Sequence, residues 1–204
     1  HVKFQAGVNE DLAATAIWGS QQTNLFEGAK YDGVFAMWYG KGPGVDRSGD
    51  AFRHGNLAGT SPLGGVLVIA GDDPSCMSST VASQSEVALI DAQFPVLNPS
   101  TVQDVLDFGI RGWAMSRYAG CWVSMKTTSE LMDSSATVDV GADRNNVTLP
   151  TDFDMPPDGL HIRWPDSSLD QERRLRHQKL EAAKAFARAN PFDRIVVDSP
   201  NPRI

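Results

Sequence analysis

GVLVIAGDDP, at residues 65–74, is the stretch that decides the fold class. Its first six residues form a run without a polar side chain, which has the length of a strand buried on both faces of a sheet. A similar run, GVFAMWY, occupies residues 33–39, and segments with helical spacing surround both runs. Because helices and buried strands alternate, we predict an α/β fold, with a doubly wound, mostly parallel sheet covered by helices on both faces.

Three helix starts can be recognised from capping residues. Asn9 is a candidate N-cap for a helix through the Ala-rich stretch that ends near Phe26. Ser100 with Gln103, and Ser168 with Gln171, match the capping-box spacing. The second of these helices is expected to stop at Gly120.

The remaining segments divide into short strands, one loop and one irregular stretch. The Gly- and Pro-rich segment 40–44 is predicted to be a loop, and residues 46–57 a short helix. Short apolar runs predict further strands at residues 94–97, 121–125 and 194–198.

One domain is expected to occupy most of the chain, with a linker after it. We predict a partial domain over residues 1–193, including a surface excursion at 137–165 and a helix at 168–190. Residues 194–204 then form a strand and a linker to a following domain. The half-apolar alternation of residues 1–5 resembles a strand entered partway, so we expect a piece of a longer polypeptide whose first strand is missing.

Charge and composition exclude several functional classes. The 204 residues include 18 Lys and Arg against 25 Asp and Glu, a net charge of −7, which argues against nucleic-acid binding. The apolar runs are far shorter than the roughly 20 residues of a membrane span, and no signal peptide is visible, so we expect a cytoplasmic protein. Cys76 and Cys121 lack metal-site spacing and are expected to be buried thiols; no metal site is predicted.

Glu10 is the candidate catalytic residue, and it has two interpretations. A carboxylate in the first turn of a helix complements the helix dipole, which stabilises the helix by about 0.3–1 kcal/mol. The functional interpretation is an acid that faces a ligand across the small side chains of the same helix.

Two long motifs favour the functional interpretation. The segments GVNEDLAATAIWGSQQ, at residues 7–22, and YDGVFAMWYGKGPGVDRSGD, at residues 31–50, resemble the large subunit of the indolepyruvate ferredoxin oxidoreductases. These enzymes belong to the 2-oxoacid:ferredoxin oxidoreductase family. The resemblance continues over essentially the whole chain, which is similar to the thiamine pyrimidine-binding domain of that family.

The resemblance implies a role for Glu10 and a set of cofactors. In the family, a glutamate at this motif position holds N1′ of the aminopyrimidine of thiamine diphosphate, favouring the imino tautomer that deprotonates thiazolium C2. The implied reaction is oxidative decarboxylation of a 2-oxoacid to an acyl-CoA, with electrons passed through iron–sulfur clusters to ferredoxin. Implied partners are these clusters, coenzyme A, ferredoxin, the remaining domains of the enzyme and a further copy of the chain in a homo-oligomer.

Several features depart from the family pattern. The motif that holds Mg²⁺ and the diphosphate is absent, as are the [4Fe–4S] cysteines, so these groups are expected outside this chain. The segment GTSPLG, at residues 59–64, lacks the arginine of pyruvate-specific members, which favours a bulkier arylpyruvate substrate.

Residues near the strand ends are candidates for ligand binding, because α/β sheets bind ligands at the carboxyl ends of their strands. Lys41, Arg47 and Arg53 are candidates for the substrate carboxylate, with a solvated or structural role as the alternative; Asp72 is a further substrate candidate. Aromatic residues of the first strand are candidates for lining the aminopyrimidine pocket, with plain core packing as the alternative: Phe35, Trp38 and Tyr39.

A non-catalytic function is the second hypothesis. Ala13, Ala16 and Gly19 recur on the first predicted helix and would allow another subunit to approach it closely. The chain would then be a scaffold or dimerisation module derived from a thiamine-enzyme domain.

Overall fold

A four-stranded parallel sheet forms the centre of the molecule. The computed structural model describes residues 2–141, 143–164 and 166–200. The strands lie in the order β1-β2-β4-β3 and are all paired in parallel. Their bounds are β1 (Phe35–Lys41), β2 (Gly65–Asp72), β3 (Val96–Leu97) and β4 (Val123–Thr128). The predicted α/β class is therefore confirmed.

One helix precedes the first strand, and the other helices connect the strands or follow them. They are α1 (Glu10–Ser20), α2 (Gly42–Arg47), α3 (Gly49–Ala58), α4 (Ser85–Asp91), α5 (Val102–Ala119), α6 (Ser129–Met132), α7 (Ser168–Arg174) and α8 (Leu180–Ala189). A short 3₁₀ turn, Thr23–Leu25, follows α1, and a π-helical turn, Leu175–Lys179, joins α7 to α8. Within the described part of the chain, every helix is too short or too polar to cross a bilayer.

Two apolar layers cover the two faces of the sheet. Val66 and Val68 of β2 point to one layer, where they pack with residues from α1 to α4. Leu67 points to the other, which is built from α5, α8 and the segment around Leu160. All three β2 side chains are fully buried, as expected for a strand with helices on both faces.

The two predicted capping boxes do not form, because the N-cap of each helix lies one residue away from the predicted serine. Thr101 Oγ1 accepts a hydrogen bond from Asp104 N at 3.1 Å, and Ser167 Oγ accepts one from Asp170 N at 3.2 Å. Each site has two adjacent hydroxyl residues, and the register that forms places an aspartate in the first turn. Gly120 ends α5 in the left-handed conformation, as predicted.

The Gly- and Pro-rich segment 40–44 is not a loop, so this prediction is wrong. Its first two residues end β1, and the other three begin α2, with Pro43 in the first turn, where its missing N–H has no helical partner in any case. A break at Ser48 separates α2 from α3, so the single helix predicted over 46–57 is two. The first helix ends at Ser20, earlier than predicted.

The predicted terminal strands do not form. Residues 2–6 and 194–198 are irregular, with side chains such as Val2 (95% exposed) and Val196 (82% exposed) in solvent. Neither segment pairs with a described strand, and neither contributes to the two apolar layers. The excursion at 137–165 is irregular at its described residues, but it does not lie wholly on the surface, because Leu160 is fully buried in the second apolar layer. Cys121 is buried but Cys76 is exposed, so the prediction of two buried thiols is half wrong.

Asn56 of α3 joins three elements inside the core. Its Nδ2 donates to Ala92 O and Gln93 O, each at 3.0 Å, and its Oδ1 accepts from Trp122 N at 2.9 Å. The side chain is fully buried. The amide therefore fixes the end of α4 and the entry to β4 relative to α3, with all three hydrogen bonds in a region of low dielectric.

Replacing Asn56 by Asp should destabilise the fold strongly. The carboxylate would face two carbonyl oxygens in a buried position, and we expect the free energy of unfolding to fall by about 2–4 kcal/mol. Urea unfolding measures the change. Asn98→Asp, at an exposed position, is the matched control and should change the free energy by less than about 0.5 kcal/mol. Equal effects of the two substitutions would contradict the role of Asn56.

Lys179, in the π-helical turn, is a buried cation that caps α3. Its Nζ donates to Leu57 O at 3.3 Å and Ala58 O at 3.2 Å, which are carbonyls of the last turn of α3. Burial lowers the pKa of this amine from 10.5 to about 8. Burial also raises the pKa of the nearby Cys121 thiol to about 12.

The lowered pKa of Lys179 makes stability depend on pH. Above pH 8 the folded amine loses its proton while the unfolded amine keeps it until about pH 10.5, so the free energy of unfolding should rise with pH in this window. We expect a rise of about 1–2 kcal/mol between pH 7.5 and 9.5. Lys179→Met should abolish the rise. Both proteins should carry Cys121→Ala, because the raised pKa of Cys121 produces the opposite slope above pH 9. A rise that persists in the methionine variant would contradict this assignment.

Candidate functional site

The candidate site lies at the carboxyl ends of β1 and β2. Helix α2 begins directly after β1, and the loop 73–84 follows β2 before α4. The first turn of α1 meets this edge, because Glu10 contacts α2. In a parallel sheet the strand ends and the starts of the following helices converge here, which is where such sheets bind ligands.

Glu10 is held in place by contacts to its backbone and its methylene groups. Asn9 caps α1 by accepting from Leu12 N at 2.8 Å, as predicted. Trp38 Nε1 donates to Glu10 O at 3.0 Å. A Cβ added at Gly44 would lie 2.7 Å from Glu10 Cγ, so the side chain lies directly on the glycine of α2.

The carboxylate of Glu10 remains available to a ligand. Its side chain is 44% exposed, and its nearest cation is Arg47, whose Nε lies 3.9 Å from Glu10 Oε2. An ion pair this long between exposed groups contributes about 0–1 kcal/mol at most. A ligand can therefore replace Arg47 beside the carboxylate at little cost.

Asp72 is buried and hydrogen-bonded to another residue of this chain. It is 2% exposed, its Oδ2 accepts from Ser85 N at 3.0 Å, and Ser85 Oγ donates to its other oxygen. The carboxylate thus holds the start of α4. A Cβ added at Gly42 would lie 2.1 Å from Ser83 Oγ, so α2 also packs tightly against this loop.

Asp73 organises the loop after β2. Its carboxylate accepts backbone hydrogen bonds from Ser78 N at 2.6 Å and from Met77 N and Ser79 N at 3.1 Å. These bonds hold the pKa of Asp73 below its ordinary value, and the bond from Ser78 has the largest effect. Asp73 was not among the predicted site residues, although an aspartate before a Ser-rich loop is typical of such turns.

The predicted substrate-binding cations all have protein partners. Lys41 Nζ donates to Ser78 O at 2.7 Å, which ties the end of β1 to the loop. Arg53 pairs with Asp91 of α4. Arg47 is the one of the three that the structure brings beside Glu10.

The three aromatic residues of β1 do not share one pocket. Trp38 is buried on the Glu10 side of the sheet and packs edge-to-face on Phe52. Phe35 and Tyr39 point to the opposite face and are 48% and 63% exposed. Strand alternation requires this separation. Their roles in cofactor binding stay predictions.

Comparison with known proteins identifies relatives of one kind. The chain is 28% identical over 139 residues to indolepyruvate oxidoreductase subunit IorA of Methanothermobacter thermautotrophicus, covering 68% of this chain and 21% of that protein. It is 32% identical over 101 residues to the subunit of the same name from Pyrococcus horikoshii, covering 50% of this chain and 15% of that protein. The chain resembles IorA subunits. The matched part spans 15–21% of the length of these subunits.

The similarity to the IorA subunits was found by sequence comparison alone, and it agrees with the observed fold. No protein-family model matches the chain, and no solved structure matches it. The parallel sheet with helices on both faces is consistent with a thiamine pyrimidine-type domain. The family resemblance seen in the two long motifs is thereby supported by proteins that carry the corresponding name.

The close packing of α2 can be tested with a pair of glycine substitutions. Gly42→Ala should lower the free energy of unfolding by about 1–3 kcal/mol, because the added methyl group overlaps Ser83. Gly19→Ala is the matched control, since a Cβ there meets nothing within 4 Å and should stabilise α1 by about 0.5–1 kcal/mol. Thermal or urea unfolding distinguishes the two. A stabilising Gly42→Ala would contradict the packing.

Proposed function

We propose that the chain is the pyrimidine-binding part of a thiamine-diphosphate-dependent indolepyruvate or arylpyruvate ferredoxin oxidoreductase. The enzyme would decarboxylate a 2-oxoacid oxidatively to an acyl-CoA. The observation that carries the proposal is Glu10, a glutamate in the first turn of α1 with its carboxylate accessible at the carboxyl edge of the sheet. The similarity to the IorA subunits supports the substrate class.

The surroundings of Glu10 fit the aminopyrimidine of thiamine diphosphate. The backbone carbonyl of Glu10 accepts a hydrogen bond from Trp38. Its methylene groups pack directly against Gly44, where there is room because glycine has no side chain. The carboxyl group makes no hydrogen bond with the described residues, and its one ion-pair partner is distant. A rigidly held carboxyl group with free hydrogen-bonding capacity is what recognition of a ring nitrogen requires.

The residues of this chain would bind and orient rather than supply redox chemistry. When bound, thiamine diphosphate provides the electron sink for decarboxylation. Glu10 would hold the ring nitrogen N1′, and the Trp38–Glu10 hydrogen bond would keep the helix start in place. Arg47, beside Glu10, is the cation best placed for the substrate carboxylate. Mg²⁺, the [4Fe–4S] clusters, coenzyme A and ferredoxin would be bound by other parts of the enzyme.

Glu10→Gln in the complete enzyme should abolish most of the activity. Glutamine keeps the size of the side chain but cannot hold or share the proton at N1′, so we expect kcat for decarboxylation to fall by about 100-fold or more. Asp11→Asn is the matched control, because Asp11 lies in the same first turn and should change kcat less than twofold. Assays of CO₂ release measure both.

The outcome that contradicts the role of Glu10 is a nearly normal rate in the glutamine variant. Calorimetry with thiamine diphosphate and Mg²⁺ separates binding from chemistry in the same variants. Binding that is retained while kcat falls supports proton handling by Glu10.

A second function is favoured by the exposed face of α1. Leu12 is 50% exposed, and Gly19 meets no neighbouring atom, although both lie on a helix whose other face is buried. This surface could receive another subunit in a non-catalytic scaffold or dimerisation module. In that case the complete protein would bind no thiamine diphosphate in calorimetry.

A further inference from the structure

An apolar cleft lies on the face of the sheet opposite Glu10. It has a volume of about 570 Å³ and is lined by Phe35 of β1, Ile110 and Trp113 of α5, Phe186 of α8, and side chains from the excursion. Its size falls within the range of small-molecule sites. Phe35 and Lys41 are the first and last residues of β1, which places the cleft about 20 Å from the candidate site at a rise of about 3.3 Å per residue.

Arg117 is the charged residue among those that line this cleft. Its guanidinium lies over the Phe35 ring, 5.6 Å from the centroid, and makes no hydrogen bond or ion pair with any residue in the described ranges. Most other described arginines pair with carboxylates: Arg47, Arg53, Arg144, Arg163, Arg173, Arg174, Arg176 and Arg188. An unpaired arginine in an apolar cleft of an acidic protein is therefore an exception that calls for an anionic partner.

The walls of the cleft favour a flat ring beside that anion. The Phe35 and Trp113 rings contact each other, with centroids 6.1 Å apart and planes tilted by 49°, and both present aromatic surface to the cleft. The Trp113 indole is fixed by a hydrogen bond from Nε1 to Ala36 O at 3.0 Å. Tyr118 adds a hydroxyl that has no hydrogen-bond partner among the described residues. Burial, reinforced by Asp152, raises the pKa of this phenol, so it remains a neutral donor.

We propose that this cleft is a binding site for a small aromatic carboxylate. The ring would pack against the sides of Phe35 and Trp113 that line the cleft, and the carboxylate would accept hydrogen bonds from Arg117 and Tyr118. Two parallel N–H···O bonds from a guanidinium give such a pair both strength and orientation. The site is separate from the carboxyl edge that holds Glu10, and it does not depend on the proposed oxidoreductase activity.

Titration of the chain with 2-naphthoate tests the proposal. We expect saturable binding with a micromolar to low millimolar Kd. Calorimetry and the change in tryptophan fluorescence measure this binding. Arg117→Gln should weaken binding about tenfold or more, and Arg117→Lys should restore part of it. Arg173→Gln, which removes an exposed arginine on α7, is the matched control and should leave Kd unchanged.

The neutral amide 2-naphthamide separates recognition of the charge from recognition of the ring. The Kd of 2-naphthamide for the unmodified chain should be at least tenfold higher than that of 2-naphthoate. For the Arg117→Gln variant, the two compounds should bind with about the same Kd. The proposal is overturned if 2-naphthoate does not saturate the chain, or if its Kd is the same in the glutamine variant. It is also overturned if sedimentation shows that the chain dimerises through this cleft and that Ile110→Asp dissociates the dimer.

Discussion

The burial of β2 on both faces is the constraint on which the rest of the structure depends. A strand that is covered on both sides needs two separate helical layers, and its alternating side chains assign each neighbouring element to one of them. Helices α1 to α4 serve one layer, so Glu10 and Trp38 lie on the same side. Helices α5 and α8 serve the other, so Phe35 and Arg117 meet there. The candidate catalytic site and the apolar cleft are on opposite faces for this reason.

The parts of the fold that could be predicted from sequence are those in which the local pattern and the tertiary environment agree. The apolar runs of β1 and β2, the Asn9 cap and the Gly120 stop all satisfy local rules that packing does not oppose. Segment 40–44 was wrongly predicted to be a loop, because its glycines allow close packing against neighbouring residues rather than a flexible backbone. Gly42 and Gly44 lie against Ser83 and Glu10, and such contacts cannot be recognised without the fold. The apolar residues near 195 lacked a partner strand, which a local pattern cannot reveal.

The position of Glu10 at a helix start could be predicted, whereas the arrangement of the residues around it could not; its catalytic role stays a prediction. The motif around Glu10 located the carboxylate, and the geometry leaves it accessible. The roles of Asp72 and Arg53 could not be deduced from strand-end positions, because each interacts with α4, whose placement is a tertiary property. Arg117 gave no sequence signal, because the feature that distinguishes it, the lack of a carboxylate partner among the described residues, depends on the tertiary fold.

Strand β1 lies at one edge of the sheet, and this position has a consequence for the behaviour of the chain in solution. No described strand pairs with its outer side, and Phe35, Met37 and Tyr39 expose apolar surface along its seven residues. An extended edge with unpaired backbone groups and aromatic side chains is a template for strand pairing between molecules. The strand that positions Trp38 against Glu10 is thus also the segment from which aggregation would start, and colloidal stability depends on whatever shields that edge.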